Sequence, residues 1–346
     1  MERFSFIQPD DFHAHLRDGL MLAKVISHSN MFGKVLVMGN LETPITSGEE
    51  ALGYYCQIKN LNPRFQPIRT MMFTGETTRG AIWRANEMGL LGTSVLKLIP
   101  GNTSTNSASG VPLAELKDYY PILEEAEHWD MVFSGHWELA KDPANNADIP
   151  EKQREARAIP FLLDVIKNFP KLRIVVEHVS TAAMVKIVEE APDNVAATIT
   201  AHHLGPYHYG DVIKGGAVVN PLLYCKPVLK SAGDIKAVRR AATSGNPKFF
   251  FGSDSAPHPL EKKLAAPPAA GIFSAPTAIP HVFSVFYEEG TENRFGDFTA
   301  KFGSQFYRLP INQAKITIQK EPWIVPKDYD GVIPFLAGQE LTWKVV

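Results

Sequence analysis

Eight short runs rich in β-branched and aromatic residues recur along the chain, and most give way to a stretch with helical spacing. The runs cover 11–17, 34–40, 67–75, 94–100, 131–136, 172–178, 195–203 and 248–254. Helix-patterned stretches lie between them at 49–60, 78–88, 113–127, 154–168, 182–190 and 235–244. Strands that alternate with helices imply a parallel sheet, because two parallel neighbours need a crossover between them. Eight is the number that closes a barrel. Continuously apolar segments such as Ile174-Val175-Val176 suit strands covered on both faces. The pattern predicts an α/β fold, a TIM-type (β/α)8 barrel with a C-terminal extension, in which 1–346 form one domain. The few residues before Asp11 leave no room for a separate N-terminal domain. The tail from about Leu309, rich in Pro and Trp, is expected to wrap the barrel.

In such a barrel the reacting groups gather at the C-terminal ends of the strands. Those ends carry His13 and His15, Asn40, Lys97, His136, His178 and Asp254. Residues i and i+2 of a strand share a face. Two imidazoles side by side pack a core poorly but make a ready pair of metal ligands. Four histidines, an aspartate and a lysine would surround one mouth; imidazole and carboxylate suit zinc, and two ions need more ligands than one.

Lys97 stands inside the apolar run Val95-Leu96-Lys97-Leu98-Ile99. Desolvation there would lower the pKa of its amine and let it react. Reaction with carbon dioxide would give a carbamate, a carboxylate-like group able to bridge two cations. Asp254 follows the aromatic run Phe249-Phe250-Phe251 and could both ligate a metal and shuttle a proton. His258, in the loop beyond, would face substrate. His202 and His203 fall at the end of the seventh run, where adjacent strand residues face opposite ways. At most one could point into the mouth, and neither is assigned to metal. His28, His128, His208 and His281 show no ligand spacing. Lys214-Gly215-Gly216 reads as a turn, because a phosphate cradle needs a strand–GxGxxG–helix context.

Composition narrows the function classes. Hydrophobic residues at 45% and charged residues at 21% describe an ordinary soluble globular chain. A formal charge of −2 gives no footprint for nucleic acid or an anionic membrane. No apolar run reaches membrane-spanning length, and the first residues lack the apolar core of a signal peptide. Cys56 and Cys225 are too few for a disulfide framework and lack metal-site spacing. A cytosolic location follows as the expectation.

Taken together, Pro9-Asp10-Asp11-Phe12-His13-Ala14-His15-Leu16-Arg17-Asp18-Gly19, Lys97-Leu98-Ile99-Pro100, Gly135-His136-Trp137-Glu138, Val176-Glu177-His178, Asp254-Ser255-Ala256-Pro257-His258 and Pro334-Phe335-Leu336-Ala337-Gly338 resemble the class II dihydroorotases. These are the short, stand-alone members of the amidohydrolase superfamily. The resemblance runs over essentially the whole chain. It implies a reversible, zinc-dependent reaction between L-dihydroorotate and N-carbamoyl-L-aspartate in pyrimidine biosynthesis, with two Zn2+ per subunit of a homodimer. It implies His13, His15 and Asp254 on the first zinc, His136 and His178 on the second, and Lys97 as its carbamate on both. Arg17, Asn40 and His258 match residues that hold the substrate carboxylate. Cys225-Lys226 and Ala270 match positions whose backbone touches the ring, and Ser104-Thr105 the tip of a loop that closes over it. Asp254 would move the proton.

Ser104 replaces a usual Thr, Gly39 a usual Pro before Asn40, and Lys226 an apolar residue; 141–146 is an added stretch. Two rivals remain. One is another cyclic-amide hydrolase acting on hydantoins, dihydropyrimidines or allantoin, but neutral rings need no carboxylate clamp. The other is a non-catalytic barrel scaffold, yet every proposed ligand is present.

Overall fold

The computed structural model describes residues 2–88, 95–101 and 103–346. Met1, and Ser94 at the start of the fourth run, lie outside the described residues. The chain begins with a strand that the pattern misses, β1 (Arg3–Ile7). Seven barrel strands follow: β2 (Asp11–Ala14), β3 (Lys34–Val37), β4 (Gln66–Phe73), β5 (Val95–Leu98), β6 (Val132–Gly135), β7 (Arg173–Val176) and β8 (Val195–Ile199). A short ribbon of β9 (Ile213–Lys214) and β10 (Ala217–Val218) turns through Gly215 and Gly216, both at positive φ. The last barrel strand is β11 (Phe249–Phe251), and β12 (Lys315–Ile324) and β13 (Glu340–Val345) complete the chain. All eight expected runs therefore contain a strand.

The eight are parallel and ordered β2-β3-β4-β5-β6-β7-β8-β11. Helices Gly48–Leu61, Arg79–Glu87, Glu151–Asn168, Ala182–Glu190 and Ala232–Thr243 fall where the spacing places them, and a 3-10 turn with helix Tyr120–His128 covers the sixth stretch. Ser47, Thr78, Thr181 and Ser231 accept hydrogen bonds from the backbone N–H three residues on, which explains the clean helix starts. Helices Gly19–Val25 and Ala278–Glu288 lie outside the stretches that the spacing picks out.

β2 and β11 close the barrel side by side. The Asp11 carboxylate accepts from Ser253 N (2.7 Å) and Ser253 Oγ (2.5 Å), Asp254 N donates to His13 O (2.7 Å), and His15 N to Ser255 O (2.9 Å). Gly252 permits this approach, since a Cβ there would sit 2.9 Å from His13 Cβ and 3.0 Å from Thr198 Cβ. Each barrel strand sends one residue into an apolar floor: Phe12, Leu36, Ile68, Val95, Val132, Val175, Ala196 and Phe250. Tyr307 plugs it from below, its ring stacked 5.0 Å from Phe12.

The tail does more than wrap. β12 pairs antiparallel with both β1 and β13, so the first and last segments share a three-stranded sheet. Phe4, Phe283 and Trp343 hold it to helix Ala278–Glu288, with Phe283 and Trp343 rings 4.8 Å apart. Among the described residues no helix is long and apolar enough to cross a membrane.

Candidate active site

Side chains two residues beyond the apolar floor point the same way along each strand. Counting on from it gives Thr70, Lys97, Ser134, Glu177 and Thr198, a polar storey above an apolar one. Two residues further come Thr200, His136 and Asp254, with Asn40 four beyond Leu36. Part of the site thus follows the barrel's own packing pattern, whereas His13, His15 and His178 fall out of that count: the β2 register shifts between Asp11 and Ala14, and His178 takes positive φ.

Two groups of donors face each other there. His13 Nε2 and His15 Nε2 lie 3.3 Å apart, and both approach Asp254 Oδ1, at 3.3 Å and 3.1 Å. His136 Nδ1 and His178 Nε2 lie 3.0 Å apart. The groups adjoin, with the His13 and His178 rings 5.2 Å between centroids. Nitrogens so close can share an N–H···N hydrogen bond or, with both lone pairs turned inward, a cation. The donor chemistry, nitrogen and carboxylate oxygen without sulfur, fits a zinc-class ion. Arg17, His178 and Asp254 take positive φ of 62°, 42° and 44°. Left-handed backbone is uncommon outside glycine and clusters at functional sites. Here it coincides with the places where strands give way to the mouth.

Lys97 is 1% exposed, and its Nζ has no hydrogen-bond partner; Glu177 Oε1 lies 3.9 Å away. Burial pushes this amine below its usual pKa, against the pull of Glu177. Burial likewise raises Asp254 and lowers His13, while His15 and His178 fall well below the ordinary imidazole value. These three imidazoles accordingly offer lone pairs rather than protons to a cation.

Carboxylates that the sequence reading passed over orient these ligands. Glu177 accepts from His13 Nδ1 (2.7 Å), from Thr198 Oγ1 (2.6 Å) and from Ser134 Oγ. Burial would raise its pKa, but Lys97 and His13 outweigh that and hold it at about 2. Glu138 Oε2 lies 3.0 Å from His136 Nε2, and Lys230 Nζ is 3.7 Å from Glu138 Oε1. Each carboxylate fixes the tautomer that leaves the other nitrogen facing the site. The signal was available: Glu177 is two residues beyond Val175, in step with Lys97 beyond Val95. Glu177→Gln is expected to keep the fold and weaken metal binding about 10–100-fold. Competition against a chelator measures it, and unchanged affinity would show that His13 needs no anchor.

The remaining expected residues form the rim. A cavity is lined by His13, His15, Arg17, Asn40, Lys97, Ser104, Thr105, His136, His178, Lys226, Asp254 and Ala270. His258 stands just outside, in an adjoining cavity shared with Arg17 and Thr105. Arg17 Nε donates to Pro257 O (3.1 Å), and Nη2 lies 3.0 Å from His258 Nε2, which also faces Ala270 O at 2.9 Å. Burial, then Arg17, push the His258 imidazole down to about 3, so it is neutral. Asn40 Nδ2 donates to Thr105 O (3.1 Å) and Thr105 Oγ1 to Ala270 O (3.2 Å), which draws loop 103–110 across the mouth. Lys226 turns its ammonium toward Glu151, 3.8 Å away. Lys263, also unforeseen, donates to the carbonyls of Tyr224 (2.9 Å), Ala269 (3.0 Å) and Gly271 (2.6 Å), and so clamps two wall segments. The added stretch 141–146 lines a separate cavity beside Glu138. His202 and His203 are not on a strand: β8 stops at Ile199, and both lie buried in a 3-10 turn, Ala201–Leu204.

No family model matches the chain. A curated dihydroorotase of Teredinibacter turnerae is 39% identical, over 99% of this chain and 99% of its own length. The dihydroorotase of Saccharomyces cerevisiae, solved in complex with 5-fluoroorotic acid, superposes with a TM-score of 0.91 at 30% identity, over 100% of this chain and 99% of that one. That of Campylobacter jejuni gives 0.87, also at 30%, over 99% and 97%. With likeness of this extent in sequence and in fold, the chain belongs to the dihydroorotase family.

Proposed function

We propose that the cavity at the barrel mouth is where this member of the dihydroorotase family opens and recloses L-dihydroorotate, giving and consuming N-carbamoyl-L-aspartate in pyrimidine biosynthesis. The observation that carries this reading is the convergence of His13, His15, His136, His178, Asp254 and Lys97 beneath Arg17. His13, His15 and Asp254 are assigned to one zinc ion, His136 and His178 to a second, and Lys97 to both. When bound, such a pair polarises a carbonyl oxygen and lowers the pKa of water.

The assignment of Lys97 as a carbamate rests on its buried, unbonded amine. Carbon dioxide would add at Nζ, forming an N–C bond and releasing one proton. Arg17 presents a planar fork suited to a bidentate hold on the substrate carboxylate. Its contact with His258 Nε2 is one that the carboxylate can take over, since that nitrogen also has Ala270 O to bond. Asn40 completes the carboxylate site, the backbone of Lys226 and of Ala270 meets the ring, and Ser104 and Thr105 cover it. Asp254 accepts a proton from the attacking water and passes it to the ring nitrogen as the C–N bond breaks. Ring closure is the same path reversed. The working unit is a homodimer of one-domain barrels in the cytosol.

Arg17→Met is expected to raise KM for dihydroorotate about ten- to hundredfold, the cost of a lost charge-assisted pair of about 1.5–3 kcal/mol, with metal content unchanged. An unaltered KM would place the carboxylate elsewhere. The proposal as a whole is tested by elemental analysis and ring-opening assays on metal-loaded protein. Two metals per chain and turnover of dihydroorotate are expected, and faster turnover of a neutral hydantoin or dihydropyrimidine would overturn the substrate assignment.

A further inference from the structure

Beyond the end of β8, whose own residues take no part in the cavity, a second set of donors converges. Ligand atoms of His202, His203 and Cys225 all lie within 4.8 Å of one another. The three residues are 1%, 2% and 2% exposed. Both ring nitrogens of His202 are buried without a hydrogen-bond partner. Such groups are rare in folded chains, and an ion or ordered water is a usual reason for them.

The neighbours of His202 turn their polar atoms toward one backbone carbonyl. His203 Nε2 lies 3.1 Å from Pro227 O, and Cys225 Sγ donates to the same oxygen at 3.2 Å. The nitrogen and the sulfur therefore share one carbonyl. His203 Nδ1 lies 2.7 Å from Thr200 Oγ1. A hydroxyl both donates and accepts. If the neutral ring shifts to its Nδ1–H tautomer, Nε2 keeps a lone pair for a cation, Nδ1–H donates to Thr200 Oγ1, and the hydrogen bond given up is the one to Pro227 O. Burial raises the pKa of the Cys225 thiol, so a thiolate is stable there only beside a cation, which deprotonates a coordinating thiol outright.

We propose that His202, His203 and Cys225 form a third metal site, separate from the barrel-mouth donors, which takes a borderline-soft divalent cation such as Zn2+ or Co2+. Two imidazoles and a thiolate are the donors such ions prefer, and hard Mg2+ or Ca2+ would be refused. The set escapes a reading by sequence spacing because Cys225 comes from a distant loop. The alternation argument also fails for it, since a 3-10 turn lets both adjacent imidazoles, with centroids 4.7 Å apart, share one side.

Cobalt makes the proposal testable independently of the proposed reaction, because the mouth donors contain no sulfur. The full chain, with its mouth loaded with zinc and the exposed Cys56 changed by Cys56→Ser, is titrated with Co2+. A near-ultraviolet thiolate-to-cobalt band is expected, saturating at one cobalt per chain. It should vanish in Cys225→Ser and weaken at least tenfold in apparent affinity in His202→Gln. The second variant should retain its mouth zinc and its ring-opening rate. Should Cys225→Ser fail to fold, His202→Gln reports through the same band. Absence of the band at excess cobalt, or a band of undiminished affinity in His202→Gln, overturns the site.

Discussion

Lys97→Ala is expected to lower ring opening by about 10³-fold or more, since losing even an outer partner of a metal ligand costs about 10–100-fold and Lys97 is proposed to touch both ions. The reasoning is one of charge. As an unmodified ammonium, Lys97 would lie buried with Glu177, 3.9 Å away, and Asp254 to balance it. As a carbamate it adds a negative group to a polar storey that already has Glu177 within it and Asp254 above, which is tolerable only with cations among them. Modification and metal loading should therefore depend on each other. Protein stripped of metal and returned to zinc in carbon-dioxide-free buffer should regain activity slowly, and bicarbonate should speed the recovery. Short carboxylic acids should partly restore the alanine variant by filling the gap. Full activity in Lys97→Ala would end the carbamate reading.

The second large effect is expected at Asp254. Asp254→Asn keeps one oxygen for a metal but cannot accept a proton, so ring opening should fall by more than the roughly 10²–10⁴-fold typical of a lost general acid–base group. Ring opening needs the carboxylate unprotonated, so its rate should decline as pH falls through the pKa of Asp254. Burial alone raises that pKa, and cations bound beside the carboxylate pull it down, so the midpoint of the decline reports which of the two prevails. Ring closure needs the proton in place and should rise over the same interval. An Asp254→Asn variant verified to hold its metals, yet opening the ring at the parent rate, would remove Asp254 from proton transfer.

How legible all this was in the sequence depended on periodicity. β5, β6 and β7 announce themselves because strands covered on both faces must be apolar throughout, and a lysine or histidine at such a strand's end then stands out. β1 escaped because a short strand before Asp11 looks like a mere leader, and its partner β12 lies more than 300 residues away. Glu177 and Glu138 sit beside histidines that drew the attention; Glu177 is given away by its place in the barrel's inward count, and Glu138 only by its contact with His136. His202 and His203 were judged as strand residues, and the chain had already left the strand at Ile199. Local pattern reads elements well, whereas contacts made by turns and by distant loops need the fold.

The closing seam also bears on how the chain is made. Asp11 and Ser253 meet across 242 residues. At ribosomal rates of about 5–20 residues per second, roughly 12–48 s pass between the synthesis of the two. β8 ends at Ile199, so from its completion until Ser253 is made, about 3–11 s, any sheet that β2 to β8 form has two bare edges, each an invitation to pair with another nascent chain. A cation held jointly by His13, His15 and Asp254 would span the seam itself and favour only the closed form. Zinc supply during translation should then govern the yield of soluble protein as well as its turnover, and cells starved of the metal should accumulate this chain in aggregates.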